Sequence, residues 1–334
     1  MKNSIDLSHE VNLQNLNNLN YENKCWMAKD INENDWKVCL SERNKDEIKR
    51  IIDIIVDKPL PILIRSIDEF QIDTLKSTFL NIKKICDDGV GFAVLDKLPI
   101  EDHDISIIKN IYWILGQLMG KNVAQKWDGT MIYDVIDTGK KYSYGVRGSA
   151  TNIELCFHTD NAFGIKPPEY VGLLCKFPAK KGGTSRFCSL YTVHKKMKEY
   201  FPKELERLYK PMYFDRQAEH AIGKPITTFA PFFTSNKGKL KCRANTSLVK
   251  KGYNLLKKEM DNDLISAIKA IEKITSDDAL WIEAPLTRGQ IQYLNNFELA
   301  HYRSEFEDYN DTNKRRHLLR LWHRSEGNVT YDGI

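Results

Sequence analysis

The apolar residues of this chain fall into two textures that meet near residue 120. Before that point the spacing is helical. Ile48, Ile51, Ile52 and Ile55 recur at the three-and-four interval that lines one side of a helix running on from Ser41. Over 68–88, Phe70, Leu75, Phe79, Ile82 and Ile85 make a second stripe. Residues 89–95 read as a turn into a strand, and 102–119 as a further helix. In the asparagine-rich stretch over 1–40, Leu13, Leu16 and Leu19 would cover one side of a short helix or an ordered arm. Residues 1–120 are therefore expected to be a mainly helical support, without a cluster of metal-ligand type.

From 121 onward short β-rich runs recur between turn signals, at 129–136, 170–175, 184–189, 290–294 and 318–322. Pro167-Pro168, Gly182-Gly183 and longer irregular stretches split them, with helical interruptions at 190–209 and 260–275. Many short strands with loops at one end point to an antiparallel sandwich or barrel of jelly-roll type. Neither a repeat nor a linker divides the chain, so 1–334 is expected to be one α+β domain. Its core would span 121–334, with a lid-like insertion around 210–250.

Composition excludes several partners. The chain is 42% hydrophobic and 28% charged, enough to bury a substantial core. Its 50 basic and 45 acidic residues leave a mild +5 that is dispersed, so no nucleic-acid partner is expected. Pairs such as Lys180-Lys181 and Lys250-Lys251 read as solvated loop charges. Seven widely spaced cysteines without a C-x-x-C argue against structural zinc or a disulfide framework and for a reducing compartment. The N-terminus is polar, and no apolar run approaches the roughly 18 residues needed to span a bilayer. A cytoplasmic protein without a membrane partner is the expectation.

The candidate chemistry lies in two places. His158 and Asp160 are two apart, next to the apolar run Leu155-Cys156-Phe157. On extended chain such positions share a face about 6–7 Å apart, so both can reach one metal. The alternative for any H-x-D is a surface turn. A third ligand must come from elsewhere, and His301 has the best context, after the β-like segment 290–295 and fifteen residues before Arg316. His9 and His103 read as surface residues, His194 as helical, and His317 and His323 as opposite-face residues of the last strand; His220, in the insertion, stays a minor alternative. Two imidazoles and a carboxylate can hold Fe(II) on one face, leaving positions open for oxygen and a co-substrate. Arg316, Leu318, Arg320, Trp322 and Arg324 share one face of a period-two strand. Such a row is ordinarily solvent-facing. Turned inward, Arg316 and Arg320 stand about 13 Å apart and would serve two anionic groups.

These residues together resemble the Fe(II)/2-oxoglutarate oxygenases of the taurine dioxygenase and clavaminate synthase type, over roughly residues 90–325. The resemblance rests on Phe157-His158-Thr159-Asp160, Gly182-Gly183-Thr184-Ser185, Asn295-Asn296 with His301, and Arg315-Arg316-His317-Leu318-Leu319-Arg320-Leu321-Trp322. It implies a double-stranded β-helix, cupin-like core with iron on His158, Asp160 and His301. It also implies that Arg316 pairs with the far carboxylate of 2-oxoglutarate, helped by Ser185 or its neighbour Thr184. Arg320 would hold an anionic group on the substrate. With Asp160 in place, hydroxylation or desaturation is implied rather than halogenation, with 2-oxoglutarate converted to succinate and carbon dioxide.

For the substrate, Arg147, Asn152, Glu154 and Asn161 flank the metal motif, and Arg216 and Arg243 lie in the insertion. Each can equally anchor a loop. The surplus of arginines and carboxylates favours a small, polar, amino-acid-like metabolite, with secondary metabolism as the expected setting. A carrier-tethered aminoacyl or peptide substrate is the runner-up. A non-catalytic small-molecule sensor on the same barrel is the reading from another class. Oligomeric state is not legible.

Overall fold

The computed structural model describes residues 3–11 and 19–334. Leu13 and Leu16, of the expected N-terminal stripe, lie outside the described residues, whereas Leu19 is buried. Helix formation in the first third follows its stripes. Ser41 opens the helix Glu42–Asp57 by accepting the Asn44 amide at 3.2 Å, which satisfies one of the unpaired donors at a helix start. Ile48, Ile51, Ile52 and Ile55 are its buried side.

The second stripe is not one helix over 68–88. A 3-10 turn at Ile67–Glu69 precedes the helix Asp73–Asp88. Its start is fixed from outside: the buried Glu47 carboxylate, on the first helix, accepts the Thr74 and Leu75 amides at 3.0 and 2.8 Å. Negative charge at a helix N-terminus is favoured by the N–H groups exposed there. The third helix, Ile105–Gly116, is shorter at both ends than the stretch 102–119.

Two sheets carry the rest. The larger has the strand order Lys37–Val38, Phe92–Leu95, Ile291–Asn295, Tyr170–Phe177, His317–Arg324, Lys121–Val123, and Tyr133–Val135 also pairs with His317–Arg324. The smaller has the order Trp281–Glu283, Ser185–Ser189, Leu299–Arg303, Leu155–His158. Pairing is antiparallel throughout, apart from Lys37–Val38 on Phe92–Leu95. The supporting first third thus adds strands to the sheet as well as helices to its back.

Side chains alternate across the larger sheet as a pleated strand requires. Phe92, Val94, Val171, Leu294 and Trp322 turn towards the smaller sheet, where the Phe92 and Phe187 rings stack at 4.1 Å. Ala93, Leu174, Ile291, Tyr293, Leu319 and Leu321 turn the other way and pack with the three helices. The result is a mixed helix-and-sheet architecture, with helices behind one sheet and the second sheet in front.

The stretch 210–250 is more regular than an irregular lid. Met212–Asp215 pairs with Thr227–Ala230, Ser4–Asp6 adds alongside in parallel, and Phe233–Asn236 forms a hairpin with Lys239–Cys242. The helix Thr246–Leu256 follows, capped by the Asn245 side chain. Phe214, Phe232 and Phe233 are fully buried, so this stretch carries core of its own. All seven cysteines are unpaired. Among the described residues no helix is long and apolar enough to cross a membrane.

Candidate active site

Strand pairing brings the two distant motifs together. His158, the last residue of Leu155–His158, lies directly across from His301 in the register of the smaller sheet. Their rings sit 4.2 Å apart. Asp160 follows just past the strand end, held through its backbone: its N–H donates to Asn296 Oδ1 at 2.7 Å, and Asn296 Nδ2 donates back to the Asp160 carbonyl at 2.9 Å. Asn296 is itself buried and also donates to the Pro168 carbonyl. Thr159 is pinned to Ala244 by reciprocal bonds. The turn carrying Asp160 is therefore rigid on both sides.

Asp160 Oδ1 lies 3.6 Å from His158 Nε2 and 3.6 Å from His301 Nε2. The ligand atoms of the three residues all fall within 4.8 Å of one another, the one group of this kind among the described residues. His158 Nδ1 is 2.7 Å from the Cys156 carbonyl, which only accepts, so Nδ1 donates there and Nε2 is the nitrogen turned to Asp160. Loss of solvent, reinforced by the neighbouring His158 imidazole, pulls His301 below the usual histidine range against the opposing Asp160. Burial alone would raise the Asp160 carboxyl, but the Arg320 guanidinium and the two imidazoles outweigh it and hold it well below the carboxylate range. Two imidazole nitrogens beside an ionised carboxylate oxygen are a donor set that suits a divalent metal of the Fe(II) type.

The expected arginine row is not solvent-facing. Arg316, Arg320 and Arg324 are 4, 7 and 2% exposed. Arg324 is tied to the backbone carbonyls of Lys166, Asn328, Thr330 and Tyr331. Arg320 donates through Nη1 to Asp160 Oδ2 at 2.9 Å and through Nε to Gln125 Oε1 at 2.8 Å, leaving buried Nη2 without a partner among the described residues. The anion beside it is thus the metal-site carboxylate itself, a partner that sequence alone did not reveal. Arg316 Nη1 is also buried and unpartnered among the described residues, and burial pulls its guanidinium down to about 10.

A cavity of about 550 Å³ opens over these groups. It takes in all three metal-type residues and Arg147, Glu154, Asn161, Ser185, Arg316 and Arg320. Thr184 lines a smaller adjoining cavity that shares Ser185 and Arg316 with the large one. Gly183 has φ +69°, and a Cβ there would sit 3.0 Å from Arg316 Nε, so the glycine makes room for the guanidinium. Arg147 is paired with buried Glu219 at 2.8 Å and donates to the Gln125 carbonyl at 2.9 Å. Glu154 accepts from the Tyr302 hydroxyl. Asn161 turns back through a left-handed conformation (φ 54°), and the Tyr331 hydroxyl donates to its Oδ1 at 3.3 Å.

Arg216 is a correction. It does not line the cavity; its guanidinium binds the Pro225 and Glu219 carbonyls and anchors the loop around Glu219. Arg243 likewise spans Glu10 and the Ala162 and Gly164 carbonyls. His220 lies outside the metal-type group and outside the cavity lining. His194, as expected, has a structural place, with its ring nitrogens against the Tyr21 and Tyr209 hydroxyls.

Three contributors were missed. Arg303 lies two residues after His301 on the same strand, so period two puts both on the cavity face, and that spacing was a usable signal. Its Nε and Nη1 are buried without partners, and burial together with Arg316 pulls it down to about 9. Gln125, fully buried beneath Arg320, and the helix Thr246–Leu256, which gives Leu248 and Lys251 to the cavity wall, had no clear sequence signal.

Comparison with known proteins gives the family and the fold. The family described as "Taurine catabolism dioxygenase TauD, TfdA family" matches residues 59–322. FR-33289 synthase of Streptomyces rubellomurinus is 28% identical over 244 residues, covering 70% of this chain and 69% of that protein. Among solved structures, asparagine oxygenase with Fe(II), 2S,3S-3-hydroxyasparagine and succinate superposes with a TM-score of 0.70 at 16% identity, over 87% of this chain and 94% of that one. The non-heme iron oxygenase OrfP with iron, succinate and (3R,4R)-dihydroxy-L-Arg gives a TM-score of 0.64 at 14% identity, with the same coverages of 87% and 94%. At such identities the two structures speak for a shared fold.

Proposed function

Since the chain belongs to the TauD, TfdA family of taurine catabolism dioxygenases, it is a non-haem iron dioxygenase that uses 2-oxoglutarate and oxygen, and we propose that it hydroxylates or desaturates an unactivated C–H bond of a small, polar, amino-acid-like metabolite. Two structural relatives hold hydroxylated asparagine and arginine, which supports that substrate class. The relationship to FR-33289 synthase supports a role in secondary metabolism. In this reading the facing sheets are a double-stranded β-helix, and residues 1–334 form one oxygenase domain.

The single observation that carries the reading is the convergence of the His158, Asp160 and His301 ligand atoms within 4.8 Å at the wall of the cavity. The donor set fits Fe(II), and the unpartnered Arg316 Nη1 fits the far carboxylate of 2-oxoglutarate. When bound, iron would activate oxygen, the oxidant, with 2-oxoglutarate as the two-electron co-reductant that is converted to succinate and carbon dioxide. The chain itself orients and neutralises. His158, Asp160 and His301 hold the metal, while Arg316, with Ser185 and Thr184 beside it, takes the distal carboxylate. Arg320 Nη2, Arg147, Asn161 and Glu154 present donors and acceptors to the substrate. About 550 Å³ is a volume that accepts a small molecule.

The test is succinate formation from 2-oxoglutarate under air with Fe(II) and a panel of free amino acids. Substrate-stimulated turnover is expected in the wild type and absent from His158→Ala and Asp160→Ala. Turnover that persists without those side chains would sink the assignment.

A further inference from the structure

Two donors converge on one oxygen of Asp160. Trp322 Nε1 is 2.8 Å and Arg320 Nη1 2.9 Å from Oδ2. The other oxygen, Oδ1, is the one that faces both imidazoles, at 3.6 Å each. We infer that Trp322 and Arg320 form a clamp that fixes the rotation of the Asp160 carboxylate, so that Oδ1 alone is offered to the metal. Both are positioning residues in this role, acting through Asp160. The inference rests on the assignment of Asp160 as an iron ligand.

The clamp follows from the strand. Arg320 and Trp322 are alternate residues of His317–Arg324, so both project inward from the larger sheet towards Asp160, which arrives from the end of the smaller one. Trp322 is 2% exposed, and its indole lies within the apolar cluster between the sheets, so its N–H has little freedom to point elsewhere. Arg320 is fixed from behind. Its Nε donates to Gln125 Oε1 at 2.8 Å, and Gln125 Nε2 donates back to the Arg320 carbonyl at 2.7 Å. Gln125 is in turn held through its carbonyl by Arg147, the partner of Glu219.

A carboxylate free to turn could bring both oxygens to the metal and occupy a position that co-substrate or oxygen needs. Here that rotation would cost two charge-assisted hydrogen bonds. Outer contacts that orient a metal ligand typically contribute 10–100-fold to metal affinity. Trp322 separates this role from charge, because its N–H is a neutral donor and Trp322→Phe removes it while keeping an aromatic ring.

The experiment titrates the metal-free full-length protein with Fe(II) under anaerobic conditions by calorimetry, and with Co(II) to read the ligand field by visible absorption. Trp322→Phe is expected to weaken metal binding by roughly 10–100-fold and to alter the Co(II) spectrum, with the melting temperature of the metal-free protein close to wild type. Arg320→Lys, which keeps the charge but loses the forked geometry, provides a second variant if the first does not fold, with the same expectation. Wild-type affinity and spectrum in a folded variant overturn the clamp, even if its melting temperature falls. If Asp160→Ala binds metal as well as wild type, the ligand assignment fails and the clamp with it. Loss of binding in Asp160→Ala alongside unchanged Trp322→Phe defeats the clamp only.

Discussion

The strand His317–Arg324 faces two different interiors. Behind it, Leu319, Leu321 and His323 pack against the helices, and His323 is 0% exposed with neither ring nitrogen partnered among the described residues. Burial pulls that imidazole down to about 3, so it is simply neutral. In front, Arg320 and Trp322 are as deeply enclosed, yet their polar groups meet a carboxylate. Where protein supplies no partner in front, at Arg316 Nη1 and Arg303 Nη1, the guanidinium lines a cavity. Behind the sheet, burial is met by giving up charge. In front, charge is kept and arranged around a place for metal and anion.

The largest expected effect breaks the front-face arrangement at its centre. Asp160→Ala removes the proposed iron ligand and leaves the Arg320 charge buried without its anion, which costs about 3–5 kcal/mol. Activity should vanish, and chemical denaturation of the metal-free protein should show that loss of stability. A variant as stable as wild type would mean that Arg320 had found another partner or water.

Arg316 should behave oppositely on stability. Arg316→Met removes a buried cation whose free N–H awaits a ligand, so the unliganded protein should melt at the same temperature or a few degrees higher. Affinity for 2-oxoglutarate should nevertheless fall by roughly 100-fold, the scale of losing about 3 kcal/mol from a buried charged pair. Calorimetry with 2-oxoglutarate measures this, and an unchanged affinity would place the co-substrate elsewhere. Arg303→Gln should lower the same affinity by a smaller factor, since Arg303 Nη2 is committed to backbone carbonyls.

How far the sequence reached depended on the range of the forces involved. Period two was enough to set Arg320 with Trp322, because strand alternation is local, whereas Asp160 reaches His158 from a turn just past the strand end and Arg316 stands one residue before its strand begins. The same alternation places Arg303, two beyond His301, on the cavity face of its strand. The contact of Arg320 with Asp160 was not legible, since the two meet only through the packing of one sheet on the other. The start of the second helix at Asp73 depends on Glu47 from another helix, and no local pattern encodes that. Arg216 looked like a binding residue because any loop arginine does; its carbonyl partners are set by the fold of the loop.

The smallest effect sharpens the contrast from the back face. His323 has its folded value depressed below 6.5, to about 3, and His194 to about 4. For a group depressed in this way, stability is fully present above the unfolded value and is lost as pH falls below about 6.5, because the unfolded chain binds the proton first. Each histidine should contribute up to about 1.4 kcal/mol per pH unit over that window. Urea melts at pH 7, 6 and 5 should show a shallower decline in His323→Leu than in wild type. Equal slopes would mean that His323 is reached by solvent or a partner.

The most direct test of the central claim is anaerobic calorimetric titration of Fe(II) into wild type, His158→Ala, Asp160→Ala and His301→Ala. One binding event is expected in the wild type, with its loss in each of the three variants. Retention of that event in the His301→Ala protein, with the others impaired, would contradict a centre shared by both ends of the chain.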